Sequence, residues 1–173
     1  ADLKHHYNIN YLESILNFPS IVQKPAERVR YGAMGDVLKK IKPEWPITFE
    51  MCLYGFDHVE EWGPTTGHHW RINTDPKDNW FTLAWNFDTT DETRLATNQG
   101  PTKGWNYVGE MYIATGGMTD LEYKTAFAWY AIVKSPFILG TDLRTITKGD
   151  FGHTLITNTN VIGINQDSLG KQA

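Results

Sequence analysis

Short apolar or β-branched runs alternate along this chain with longer stretches of helical periodicity, and Gly, Pro, Asn and Asp stand between them. Parallel strands need long crossovers, usually helical, so this alternation predicts an α/β fold. Residues 2–7 read as the end of a strand. Residues 25–41 read as a helix with Val29, Met34, Val37, Leu38 and Ile41 at helical spacing, stopped by Pro43. Residues 47–54, between Pro46 and Gly55, read as a buried strand, and a Gly/Pro loop then leads to a short strand over 70–73. A helix over 78–87 and a strand end at 105–107 follow. Thr119 is a good N-cap and Glu122 completes a capping box, so a helix starts there and ends before Pro136, with Leu121, Phe127, Trp129, Ile132 and Val133 among its apolar positions. Residues 137–140 give a brief strand, and 155–164 a helix or an irregular closing segment. The count is about five strand–helix units, against eight in a closed parallel barrel of about 250 residues.

Several function classes are excluded or disfavoured. A formal charge of -4 argues against tracking a nucleic-acid backbone. No window approaches the roughly 18 apolar residues of a membrane span. A lone Cys52 leaves no intrachain disulfide and no multi-Cys zinc cluster. The aromatic share is 13%, and flat apolar faces with polar rims serve sugar clefts as well as cores. Residues 1–11 carry no basic start followed by an apolar core, although a mature chain would have shed a secretory leader.

Ordered motifs run through most of the chain: Arg30-Tyr31 with Met34 and Leu38, the segment 46–55 around Cys52, and Trp70-Arg71 followed by Asp75. Gly104-Trp105-Asn106 with Glu110-Met111, Lys134-Ser135-Pro136, and the closing run from Val161 to Asp167 complete the set. From Arg30 onward the chain resembles glycoside hydrolase family 27, the α-galactosidases and α-N-acetylgalactosaminidases. The resemblance implies a partial (β/α)8 TIM barrel over 1–173, from the end of the fourth strand through the eighth unit, with the first three strands absent. It implies removal of terminal α-linked galactose with retention, by two aspartates and without a cofactor, in a secreted or lysosomal protein. Retention needs two carboxyl groups about 5 Å apart, one attacking the anomeric carbon and one protonating the leaving oxygen.

Asp75 stands where the resemblance puts the proton donor, four residues after Arg71. Strand alternation would set Arg71, Asn73 and Asp75 on one face, with Asp75 nearest the C-terminal mouth. The other reading of Asp75 is a cap, beside Pro76, for the helix that follows. The attacking position falls on His6 in Leu3-Lys4-His5-His6, and an imidazole does not replace a carboxylate there. Asp2 shares a face with His6 but lies about 13 Å from it along a strand. Leu53 replaces a sugar-gripping glutamate of the family, and Glu110 replaces an aspartate that holds a hydroxyl, after one extra residue in Tyr107-Val108-Gly109. Substrate contacts are expected from Lys4, Tyr54, Arg71, Trp105, Glu110 and Met111.

His5-His6 and His68-His69 do not chelate as pairs, since adjacent strand residues face opposite ways, and no metal is expected. Trp85 reads as core, whereas Tyr54 and Trp105 are the sugar platforms. Gly116-Gly117 reads as a loop before the capped helix rather than a phosphate cradle. Cys52 reads as a small buried hydrophobe, and 88–92 and Lys39-Lys40-Lys42 without their intervening Ile41 as solvated segments.

Three functions are open: an α-galactosidase-like segment impaired by His6, a galactoside-binding lectin-like protein, or a fragment of an active secreted α-galactosidase. An α-galactoside or related carbohydrate is the expected ligand. Open sheet edges and apolar helix faces point to self-association or to a companion chain that completes the barrel.

Overall fold

The computed structural model describes residues 25–41, 44, 47–90 and 93–172. Helix α1 spans Pro25–Lys40. Strand β1 (Glu50–Met51) leads through one 3-10 turn into α2 (Val59–Trp62), and a second 3-10 turn, Gly63–Thr65, precedes β2 (His69–Arg71). Helices α3 (Trp80–Thr90) and α4 (Thr93–Thr97) separate β2 from β3 (Trp105–Tyr107). Helices α5 (Asp120–Ile132), α6 (Phe151–Ile156) and α7 (Thr159–Gln166) close the chain.

The three strands form a parallel sheet in the order β1-β2-β3, with Glu50 level with His69 and His69 level with Trp105. Beyond β3, Met111 makes a parallel bridge to Leu139, where Met111 N donates to Ile138 O at 2.8 Å and Gly140 N to Met111 O at 3.0 Å. The expected strand over 137–140 is therefore a bridge. Met51, Trp70 and Asn106 share one register, and Trp70 Nε1 donates to Asn106 Oδ1 at 2.8 Å. Both side chains of that pair are fully buried, so the indole brings its own acceptor into the core. Val59, Trp62, Leu83, Leu95, Phe127 and Tyr130 belong to the same core.

Helix α5 begins where its sequence requires. Glu122 N donates to Thr119 Oγ1 at 3.3 Å and Thr119 N donates to Glu122 Oε2 at 2.7 Å, the reciprocal capping box. It ends before Lys134, whose φ of 59° turns the chain ahead of Pro136. Helix α3 starts at Trp80 rather than 78, because Asn79 Oδ1 takes up Thr82 N at 3.0 Å and serves as the cap. It also runs on to Thr90, so the segment read as a solvated loop from 88 is helical as far as that residue.

The strand expected over 47–54 is confined to Glu50–Met51. Beyond it this segment and that of β2 keep only single backbone bonds, His68 N to Phe49 O and Gly55 N to Arg71 O, both at 2.9 Å, and Tyr54, at φ 53°, turns the chain. Cys52 is exposed, not buried, and Trp85 is half-buried. Lys39 is not simply solvated, since its Nζ donates to Thr65 O at 2.5 Å. Strand expectations at 2–7, and with them Lys4 and His6, lie outside the described residues. No helix among the described residues is long and apolar enough to cross a membrane.

Candidate active site

The C-terminal ends of β1, β2 and β3 converge on one guanidinium. Arg71 closes β2 and is only 1% exposed. Its Nη2 donates to Asp75 Oδ1 at 2.6 Å and to Glu110 Oε2 at 3.4 Å, so both carboxylates share one donor nitrogen. Its carbon centre lies 5.1 Å from the centroid of the Tyr107 ring, which covers it from β3. From the turn after β1, Tyr54 OH donates to Asp75 Oδ2 at 3.5 Å. A buried guanidinium with two carboxylates is charge-compensated, whereas Arg71 Nε has no hydrogen-bond partner among the described residues. The carboxylates themselves face solvent, Asp75 at 49% and Glu110 at 42% side-chain exposure.

The path from Arg71 to Asp75 differs from the strand alternation expected over 71–75. β2 stops at Arg71, and Asn73 turns inward, where its Nδ2 donates to Asn86 O at 3.2 Å and to Thr90 Oγ1 at 3.0 Å. Asn73 therefore anchors the loop on α3, while Asp75 returns toward the arginine. Asp75 does not cap α3; Asn79 does.

Two features invisible to motif reading hold this loop. Gly109, at φ 108°, lies so close to it that a Cβ there would meet Pro76 Cδ at 2.4 Å and Arg71 Nη2 at 2.7 Å. Asp78 Oδ1 accepts from the buried Tyr123 OH at 2.7 Å, and that hydroxyl in turn accepts from the backbone nitrogens of Thr115, Gly116 and Gly117 at 2.8–3.1 Å. Asp78 Oδ2 also accepts from Gly117 N at 2.8 Å. The loop of Asp75 and the loop that follows Glu110 are thus tied together. Positive φ at Gly109 and Gly116 is the sequence-level trace of both, since glycine tolerates that region.

The Tyr54 hydroxyl is held above its ordinary pKa first by its hydrogen bond with the Cys52 thiol and further by the charge of Asp75. It stays protonated and available as a donor. Burial raises the Tyr107 phenol, which keeps it neutral over Arg71.

Other expected contacts do not join this cluster. Met111 is buried in the core, and Trp105 starts β3 at the opposite strand end, where it borders cavities of about 680 and 630 Å³. Neither cavity includes Arg71 or Asp75 among its lining residues. Leu53 packs in the core rather than toward the carboxylates. His68 and His69 take separate partners, His68 Nδ1 accepting from Phe49 N at 2.9 Å and His69 Nε2 lying 3.1 Å from Glu50 Oε2. His58, Glu60 and Glu61 place possible ligand atoms within 4.8 Å of one another. Arg94 lies against Glu60 and its Nη1 reaches His58 Nδ1 at 2.8 Å, so a protein cation already sits among them.

Comparisons with known proteins identify the family. The chain is 37% identical over 143 residues to an alpha-galactosidase of Cyamopsis tetragonoloba, covering 83% of this chain and 33% of that one. Its fold superposes on alpha-galactosidase I of Mortierella vinacea with a TM-score of 0.75 and 27% identity, covering 84% of this chain and 40% of the other. An alpha-galactosidase of Saccharomyces cerevisiae solved with raffinose matches at a TM-score of 0.67 and 25% identity, covering 83% and 35%. The chain spans about a third of the length of the curated relatives it matches. Residues 40–167, more than half of the sequence, match the Melibiase_2 family, alpha galactosidase A, and the chain belongs to that family.

Proposed function

We propose that this chain is an α-galactosidase-like glycoside hydrolase segment, with residues 1–173 forming one part of a (β/α)8 barrel and Asp75 acting as the acid/base on a terminal α-galactoside. The observation that carries this reading is the pair of solvent-facing carboxylates, Asp75 and Glu110, held on one buried arginine at the C-terminal strand ends. That is the face where parallel barrels do their chemistry. Three parallel strands in sequence order, each followed by helix, support the partial barrel. Arg71 and Glu110 would bind sugar hydroxyls, and Tyr54 would present its ring and hydroxyl beside Asp75. Lys4 enters the site on the resemblance alone, as does a secreted location. Trp105 and Met111 stay outside the proposed contact set, because one lies at the far strand end and the other in the core.

We propose further that hydrolysis is slow, because the position expected to attack the anomeric carbon holds His6. The remainder of the barrel wall would come from further residues of the same polypeptide, from a second copy or from a companion chain. An aryl α-galactoside assay on the full chain tests the reading. Turnover that falls at least about a hundredfold in Asp75→Asn supports an acid/base there. Galactose that raises the melting temperature without any turnover supports the lectin-like alternative instead. The absence of both signals would overturn the carbohydrate reading altogether.

A further inference from the structure

Asn86 sits in the interior of α3 and is only 1% exposed, although asparagine is a poor helix former and a buried amide costs stability unless it is hydrogen-bonded. Both ends of that amide meet Thr74. Asn86 Nδ2 donates to Thr74 O at 3.2 Å, and Thr74 Oγ1 donates to Asn86 Oδ1 at 3.4 Å. One turn further on, Thr90 is equally buried, and positions four apart share a helix face. Its hydroxyl donates to Asn86 O and accepts from Asn73 Nδ2 at 3.0 Å. Helix α3 therefore grips both residues that precede Asp75.

The bond to Thr74 O has the greatest leverage. That oxygen lies in the peptide plane that ends at the Asp75 Cα, and because the peptide is planar, fixing the oxygen fixes where that Cα stands. On the other side the buried Pro76 restricts the Asp75 backbone. Arg71 and Tyr54 aim the carboxyl, at 2.6 and 3.5 Å, but neither holds the main chain that carries it.

We infer that Asn86, supported by Thr90, is the positioning residue for the Asp75 carboxyl: its buried amide sets where the proton donor stands. The inference rests on the acid/base reading of Asp75 above. A misplacement of about 1 Å at a reacting group costs up to about a hundredfold in rate. The cost falls on substrates whose leaving oxygen needs the proton, such as an alkyl galactoside. A dinitrophenolate leaves without it, so its departure is indifferent to the position of the acid. Loss of folded protein would instead lower both rates alike.

The test compares kcat/KM, which covers the steps through departure of the aglycone, for methyl α-galactoside and 2,4-dinitrophenyl α-galactoside on the full chain. Asn86→Asp keeps the side-chain shape and removes the donor to Thr74 O. It is expected to lose roughly ten- to hundredfold on the methyl glycoside and to keep most of its rate on the dinitrophenyl one. Thr90→Val, which removes the acceptor for Asn73, should show the same selective loss to a smaller degree. Melting temperatures report whether each variant folds, and Thr90→Val decides by the same comparison if Asn86→Asp does not. Asp75→Ala, run alongside, should show the selective loss most strongly. If it does and the folded variants lose nothing, or lose equally on both substrates, the positioning role is overturned while the acid/base reading stands. An Asp75→Ala variant without selective loss, or a parent chain without turnover, overturns both.

Discussion

Gly109→Ala adds a single methyl group at the most crowded point of the site. Gly109 sits at φ 108°, a conformation that an L side chain adopts at a cost of order 1–3 kcal/mol. The new Cβ would stand 2.4 Å from Pro76 Cδ and 2.7 Å from Arg71 Nη2. Ordinary contact begins near 3.4 Å, so these neighbours must give way by most of an ångström. Neither can do so alone: Pro76 is a ring closed on its own backbone, and Arg71 is buried. Overpacking of this kind costs about 1–3 kcal/mol. Together the two effects amount to roughly 2–6 kcal/mol, a large share of the ~5–15 kcal/mol that holds a domain. For a chain of this size each kcal/mol moves the melting temperature by about 2–4 °C. The expected result is a drop of at least about 4 °C, read by circular dichroism. The same displacement pulls Nη2 from its 2.6 Å contact with Asp75, so galactose protection or aryl α-galactoside turnover should fall as well. A variant that melts within about a degree of its parent and keeps both functional signals would refute the packing argument.

Tyr123→Phe removes the hydroxyl that gathers the Thr115, Gly116 and Gly117 amides and bonds Asp78. Thr115, Gly116 and Gly117 are exposed and water takes up part of the loss, so a net cost of about 0.5–1.5 kcal/mol, a slightly lower melting temperature and faster hydrogen exchange at those amides are expected; unchanged exchange would contradict the staple. Asp167 is held below the usual carboxylate range first by its hydrogen bond with Lys134, so it contributes stability above its unfolded pKa of about 3.9 and loses it as pH falls through the lower folded value. Asp167→Asn should therefore be less stable than its parent at pH 7, with the gap closing below about pH 4 in denaturant titrations. A gap independent of pH would exclude this linkage. Sedimentation should show the full chain self-associated or with a companion, because Val29, Met34 and Val37 of α1 are exposed and β1 is an edge among the described residues. A stable lone monomer would contradict that.

Regular elements with local signals were legible in the sequence, and those decided by long-range contacts were not. The capping box at Thr119 and Glu122 needs only four consecutive residues, and α5 starts at Asp120 as expected. The strand at 105–107 also appears where the apolar run ended at a loop. The segment 47–54 failed because its apolar composition says nothing about pairing, and only Glu50–Met51 finds a partner in β2. Asn79 displaced the expected helix start because Asp78, an equally good cap by type, is committed to Tyr123, 45 positions away. Cys52 looked like a buried hydrophobe, yet the turn at Tyr54 leaves it at the surface beside the site.

Motif spacing identified the family and singled out Arg71, Asp75, Tyr54 and Glu110, since residue type and order survive in a linear string. Distance does not survive there. Glu110 is 39 positions from Arg71 in the chain, and only the parallel register of β2 with β3 sets its carboxylate on the same nitrogen as Asp75. The same register leaves Trp105 at the far strand end, away from the end where chemistry gathers, while Met111, beyond β3, is carried into the core by its bridge to Leu139.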